Sequence, residues 1–242
     1  MEIAFILAVG LVAGTLSGIV GFGSSIMLLP VLVLVFGPVQ AVPIMGIAAV
    51  MANLARIIAW WREIDWRGCA AYAAGAVPTV VLGVWTLLAL PARFIEGALG
   101  AFFLAMIPAR RWFTAHGLRI GRRGLALAGL PIGFLTGVVV TTGPITVPVF
   151  LAYGLVKGGF IATEAAASLA VYLAKLVAFH GFGALPLRVV YEGLMTGSTL
   201  MIGAFVAKRF VLRLEAEQFR LLMEGLMLLS GLAMVWTALF VD

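Results

Sequence analysis

From Gly68 to Leu90 the chain runs 23 residues without a charged side chain, and similar runs recur along its length. About 20 apolar residues in a helix cross the roughly 30 Å hydrocarbon core of a bilayer. A helix satisfies its own backbone hydrogen bonds there, which an irregular chain cannot do. We therefore read an all-α polytopic membrane protein. Composition agrees: of 242 residues 64% are hydrophobic and 11% charged, and the mean hydropathy is +1.18. Soluble domains carry about 25% charged residues. A transmembrane barrel would need alternating strands of about ten residues rather than continuous apolar runs.

Ten hydrophobic segments follow: Ile3–Val20, Ser24–Phe36, Val42–Trp61, Gly68–Leu90, Phe94–Phe113, Leu125–Val140, Pro144–Val156, Ile161–Phe182, Val189–Val206 and Phe219–Phe240. Ser24–Phe36 and Pro144–Val156 hold only 13 residues each. That length suits a broken or re-entrant helix, so eight to ten segments cross or enter the membrane. The first run lacks a basic leader and continues past any cleavage site, so it reads as the first helix rather than a signal peptide.

The net charge of +6 does not point to nucleic acid, because the Arg and Lys residues sit in short loops. Basic loops orient a membrane protein towards the cytoplasm. The most basic stretch is "TAHGLRIGRRG" (114–124), preceded by Arg110 and Arg111. Placing it in the cytoplasm also puts there the 61–67 loop "WREIDWR", Lys157, and the 208–220 loop "KRFVLRLEAEQFR". Arg93, Arg188 and both termini then lie outside. Trp60, Trp61, Trp66 and Trp112 fit an aromatic belt at the inner surface.

The two halves run in parallel. Gly14 and Gly18 match Gly133 and Gly137; Pro30 matches Pro148, Gly37 matches Gly154, and Arg56 matches Lys175. "EGALGAFFLAM" (96–106) lines up with "EGLMLLSGLAM" (224–234). Residues 1–113 form a first transmembrane repeat, 114–124 a basic cytoplasmic linker, and 125–242 a second repeat. Five segments per half is an odd number, so the second half enters from the opposite side. Inverted repeats are built around a substrate site near the bilayer midplane, and paired interruptions point to it.

The interruptions are "SGIVGFGSSIMLLP" (17–30) and "GVVVTTGPITVP" (137–148). Gly21 and Gly23 permit tight backbone, and Ser24 and Ser25 are good N-cap residues. In the second half Thr141, Thr142 and Gly143 precede Pro144, and proline favours a first helical turn. Each short helix would direct free N–H groups and hydroxyls inward, which suits an anion. Gly14, Gly18, Gly133 and Gly137 read instead as close helix packing.

Arg56 and Lys175 are cations inside apolar segments, with Asn53 and Tyr172 three residues before them on the same face. Two readings compete: a functional charge, or a side chain that snorkels to the interface. Glu96 and Glu224, near helix starts, suit the helix dipole, with proton coupling as the alternative. Glu164 and Glu192 are expected to pair with Lys157 and Arg188, and His180 to be interfacial. The lone Cys69 allows no internal disulfide. No metal-ligand cluster, Walker A loop or haem-ligand pair stands in the sequence, so no cofactor is expected. No catalytic cluster stands in it either, which argues against an enzyme.

The stretch "SGIVGFGSSIMLLPVLVLVFG" and its degenerate copy "TGVVVTTGPITVPVFLAYG" resemble the sulfite exporter TauE/SafE family of bacterial membrane transporters, across essentially the whole chain. The family's first motif commonly runs to further glycines where this chain has Ser24 and Ser25. The resemblance implies transport of a small anion such as sulfite, a sulfonate or sulfoacetate across the cytoplasmic membrane. The expected mechanism is alternating access coupled to a proton or sodium gradient. An anion channel of the same architecture is the alternative. The expected partners are the anion, the lipid bilayer, the coupling ion and, through glycine-rich faces, a second copy of the chain.

Overall fold

A computed structural model of the chain describes residues 6, 9–14, 23–115, 119–139 and 142–210, with 224–225, 228–229, 231–232, 235–236 and 238–239 near the end. Residues 9–14 are helical. Then come α1 (Gly23–Phe36), α2 (Pro38–Trp60), a 3-10 turn (Trp61–Glu63), α3 (Trp66–Ala89) and α4 (Ala92–Ala115). Next are α5 (Arg122–Val138), α6 (Gly143–Ala152), α7 (Lys157–Gly181) and α8 (Leu187–Phe210). The described residues from 224 to 239 are helical too. Every described element is helical, in agreement with the sequence reading. Among the described residues three helices are long and apolar enough to cross a membrane: Val39–Glu63, Trp66–Ala89 and Gly158–Gly181.

The two short segments end alike. Gly37 closes α1 at φ +75° and Gly154 follows α6 at φ +101°. Side chains rarely adopt that left-handed region, and glycine does so without strain. Pro38 then starts α2 at its first turn, four residues before the apolar segment begins.

Helices α5 and α6 form a hairpin that returns to the level where it began. The Ile120 N–H donates to the Ala152 carbonyl at 3.0 Å. Helix α5 ends at Val138 and α6 begins at Gly143, and Val139 after the first helix is extended. The short segment Pro144–Val156 is thus the second arm of a helical hairpin, its helix ended by the turn at Tyr153 and Gly154. The open end of the hairpin lies with Arg119, Arg122 and Arg123 and with the α2–α3 turn; below it is called the basic end. Exposed Trp60, Trp61 and Trp66 stand at that turn.

Glycines set the closest helix contact, between α3 and α5. A Cβ at Gly133 would collide with the Ala76 carbonyl oxygen, and one at Gly137 with that of Val80. Gly75 and Gly83 reciprocate against the carbonyls of Ala126 and Phe134. Gly14 likewise meets the backbone of α8 at Leu200. Close packing is therefore what Gly14, Gly133 and Gly137 provide; Gly18 lies outside the described residues. Gly100 on α4 meets Gly231 in the last helix in the same way.

Gly133→Ala should lower the melting temperature in detergent, since overpacking costs typically about 1–3 kcal/mol. Gly121→Ala is the control, because nothing lies within 4 Å of its added methyl. Equal melting temperatures for the two variants would contradict the backbone contact.

The core falls into two joined clusters. One gathers Leu28, Leu29 and Leu32 of α1 with Ile44 and Met45 of α2. The other centres on Tyr72 and Phe150, whose ring centroids are 5.1 Å apart. Ile145, just past the hairpin break, packs against both. Large apolar side chains such as Leu82, Trp85 and Val177 face outward, as lipid-facing surface requires.

Candidate functional site

The hairpin break collects buried polar groups. Lys175 on α7 has no exposed surface. Its Nζ donates to the carbonyls of Thr136 and of Val139, the latter at 2.9 Å. These are carbonyls at the end of α5, where the helix dipole favours a cation. The ammonium also lies 5.8 Å from the Phe179 ring centroid. No carboxylate among the described residues pairs with it.

Three threonines surround this point. The Thr136 hydroxyl donates to the Ile132 carbonyl at 2.7 Å and meets the Thr142 hydroxyl at 2.7 Å. Thr146 donates to the carbonyls of Thr142 and Gly143. All three are buried. Thr142 is the N-cap residue of α6 but its side chain makes no cap bond. The N–H groups of Ile145 and Thr146 turn back onto the Thr142 carbonyl, and Pro144 has no N–H. The break thus presents the expected hydroxyls and a cation, while the N–H groups of Ile145 and Thr146 are taken by the Thr142 carbonyl. Gly143 is buried at the first position of α6.

A second focus lies on the same helix, nearer the basic end. Arg56 of α2 donates from Nη1 to Glu164 Oε2 at 3.0 Å and from Nη2 to the Asn53 side-chain oxygen. Ser168 donates to Glu164 Oε1 at 2.8 Å. Asn53 and Glu164 are buried, and the Arg56 side chain is 11% exposed. Neither cation snorkels: each is held by partners within the fold. Glu164 meets Arg56 of another helix, and the side chain of Lys157, its expected partner, lies outside the described residues. Arg188 and Glu192 do pair, at 2.8 Å, four residues apart.

Glu164, Ser168, Tyr172 and Lys175 recur at spacings of four, four and three residues, so they share one face of α7. This stripe joins the two foci over about 16 Å of helix. Tyr172 is buried within it. The structure brings Glu164, Ser168, Thr136 and Thr146 beside the residues singled out from sequence. For the first two, helical spacing along the stripe is the sequence signal that marks them.

Of the other expected residues, Gly23, Ser24 and Ser25 belong to α1. The helix already includes Gly23, so neither serine precedes it as an N-cap. Their side chains lie outside the described residues, as do Gly21, Thr141 and the side chains of Glu96 and Lys157.

A cavity of about 930 Å³ runs between the hairpin arms. Arg119, Tyr153 and Gly154 stand at the basic end, and Ile132 and Ile145 line it further in. Both isoleucines adjoin the threonines: the Ile132 carbonyl accepts from the Thr136 hydroxyl and the Ile145 N–H donates to the Thr142 carbonyl. At the mouth the Tyr153 hydroxyl donates to Asp65 Oδ2 at 3.0 Å. Asp65 caps α3, its Oδ1 accepting from the N–H groups of Arg67 and Gly68. The Asp65 N–H donates to the Thr163 hydroxyl at 2.9 Å, tying the turn to α7.

Partial burial raises the Asp65 pKa, but bonds from Gly68, Tyr153 and Arg67 and the charge of Arg122 outweigh it and leave the pKa below its ordinary value. A lowered pKa means that ionised Asp65 stabilises the fold above the ordinary carboxylate range and stops doing so as pH falls through its folded value. Asp65→Ala should thus cost about 1 kcal/mol at pH 7 through the lost cap. The gap in melting temperature from the parent should shrink below about pH 4. A gap unchanged down to about pH 3, beneath the ordinary carboxylate range, would exclude the ionised cap.

No curated protein matches the chain, and no solved structure does. A family model described as Sulfite exporter TauE/SafE matches residues 6–234. That span takes in both hairpin arms, both buried cations and the α7 stripe, so the chain belongs to the sulfite exporter TauE/SafE family of membrane transporters.

Proposed function

We propose that the protein is a secondary transporter that moves a small anion, sulfite or a related organosulfur anion, across the cytoplasmic membrane of a bacterium. One observation carries the reading: Lys175 is wholly buried against a broken hairpin, without a described carboxylate to neutralise it. Ionisable groups at membrane depth are costly and mark substrate pathways. An anion entering beside Lys175 would meet its charge and the hydroxyls of Thr136 and Thr142. The cavity from Arg119 inward is the proposed route from the cytoplasmic side.

In this reading the two halves are inverted repeats that alternate access around the site. The matching left-handed glycines Gly37 and Gly154 support it, since each closes a short segment at the paired position. The basic end faces the cytoplasm and both termini lie outside. A gradient of protons or sodium supplies the energy. The test is counterflow of radiolabelled sulfite and sulfoacetate by purified protein in liposomes. Saturable exchange above protein-free liposomes is expected for at least one. Exchange of neither would overturn the proposal, and conductive flux without exchange would make the protein an anion channel.

A further inference from the structure

We propose that Glu164 is the proton-coupling residue of this transporter. As a carboxylate it occupies Arg56 in place of the transported anion. On taking a proton it releases Arg56 to that anion. The inference rests on the anion-transport reading above.

The geometry carries the argument. Arg56 and Glu164 are 108 residues apart in sequence and meet at 3.0 Å between α2 and α7, both largely removed from solvent. A buried ion pair is weak evidence for stability, because desolvation offsets its attraction. A guanidinium carries five N–H donors in a fork that matches planar oxyanions. Here Glu164 and Asn53 occupy its two terminal nitrogens. Glu164 thus sits where an external anion would bind. Asn53 would keep the guanidinium oriented when the carboxylate lets go.

Ser168 is suited to both protonation states. Its hydroxyl donates to Glu164 Oε1 now, and a hydroxyl can equally accept from a protonated carboxyl. Among the described residues, the charged or titratable groups around Glu164 are Arg56 on α2 and Tyr72 on α3, with Glu63 and Asp65 towards the basic end. Lys175 stands further along the same face.

Arg56 with Glu164 is neutral, and Lys175 further along the same face adds one positive charge. Adding a divalent anion such as sulfoacetate to the ionised pair leaves one uncompensated negative charge. A proton from the aqueous phase forms an O–H bond on the carboxylate and removes that charge. The proton leaves to the opposite phase when the anion does, and Glu164 returns to Arg56. Proton and anion therefore strengthen each other's binding by the same factor.

Sulfoacetate binding to the purified full chain in detergent, measured by calorimetry from about pH 5.5 to about pH 8.5, tests this. In the wild type the Kd should rise towards tenfold per pH unit on the alkaline side, with close to one proton taken up per anion. Glu164→Gln should flatten both. In liposomes it should also lower accumulation driven by a pH gradient at least tenfold relative to exchange. Ser168→Ala removes the hydroxyl that meets the carboxylate and should change the pH dependence of the Kd. That readout holds if Glu164→Gln does not fold. A wild-type Kd that ignores pH overturns the inference alone. A sloping Kd that neither Glu164→Gln nor Ser168→Ala alters assigns coupling elsewhere. If neither sulfoacetate nor sulfite binds at any pH, the transport reading fails first and takes this inference with it.

Discussion

Lys175→Gln should fold and yet lose roughly 10- to 100-fold in anion affinity and transport, because charged hydrogen bonds contribute about 1.5–3 kcal/mol. Glutamine carries two N–H donors on one nitrogen. It can therefore still reach towards the carbonyls of Thr136 and Val139 that the ammonium now holds. What disappears is the charge. Lys175→Met separates the two roles. It also leaves both carbonyls without that donor, at about 1–3 kcal/mol for each unsatisfied group, so its melting temperature should fall well below that of the glutamine variant. Transport at wild-type rate by Lys175→Gln would reduce Lys175 to a cap on the end of α5.

Breaking the Arg56–Glu164 pair from either side should destabilise the protein by about 3–5 kcal/mol, since each single change strands a buried charge. Arg56→Met leaves Glu164 with only Ser168, and Glu164→Met leaves Arg56 with only Asn53, among the partners described. The double variant removes both charges and fills the space with flexible apolar side chains. It should lie within about 1–2 kcal/mol of the parent or above it, as apolar replacement of buried pairs often does. Unfolding of all four proteins in one detergent gives the cycle. Single losses that simply add in the double variant would show that the two charges do not interact.

Part of this site is legible in the residues alone. Arg56, Asn53, Lys175 and Thr142 stand out because a charge or a break within an apolar run is conspicuous. The stripe Glu164, Ser168, Tyr172 and Lys175 is present as spacing. Its meaning is masked, because Glu164 has Lys157 close by in the chain as a ready partner. Thr136 gives no local signal: a threonine in a helix commonly bonds its own preceding turn, as this one does to Ile132. Only its second contact, to Thr142 across the break, makes it part of the site.

The sequence by itself determined the helices, their apolar faces and the places where they stop. Those features are local: hydropathy acts along one segment, Pro144 lacks an N–H wherever it stands, and Gly37 and Gly154 reach a left-handed φ without help. Tertiary structure decided which groups the buried charges meet. Glu164 took Arg56 from 108 residues away. Lys175 took the carbonyls of Thr136 and Val139, 39 and 36 residues before it. A charge removed from water must find a partner among whatever the packed helices bring within about 3 Å. That choice belongs to the glycine-tight packing of α3 on α5, the fold of the hairpin and the faces turned towards α7, none of which is a property of neighbouring residues.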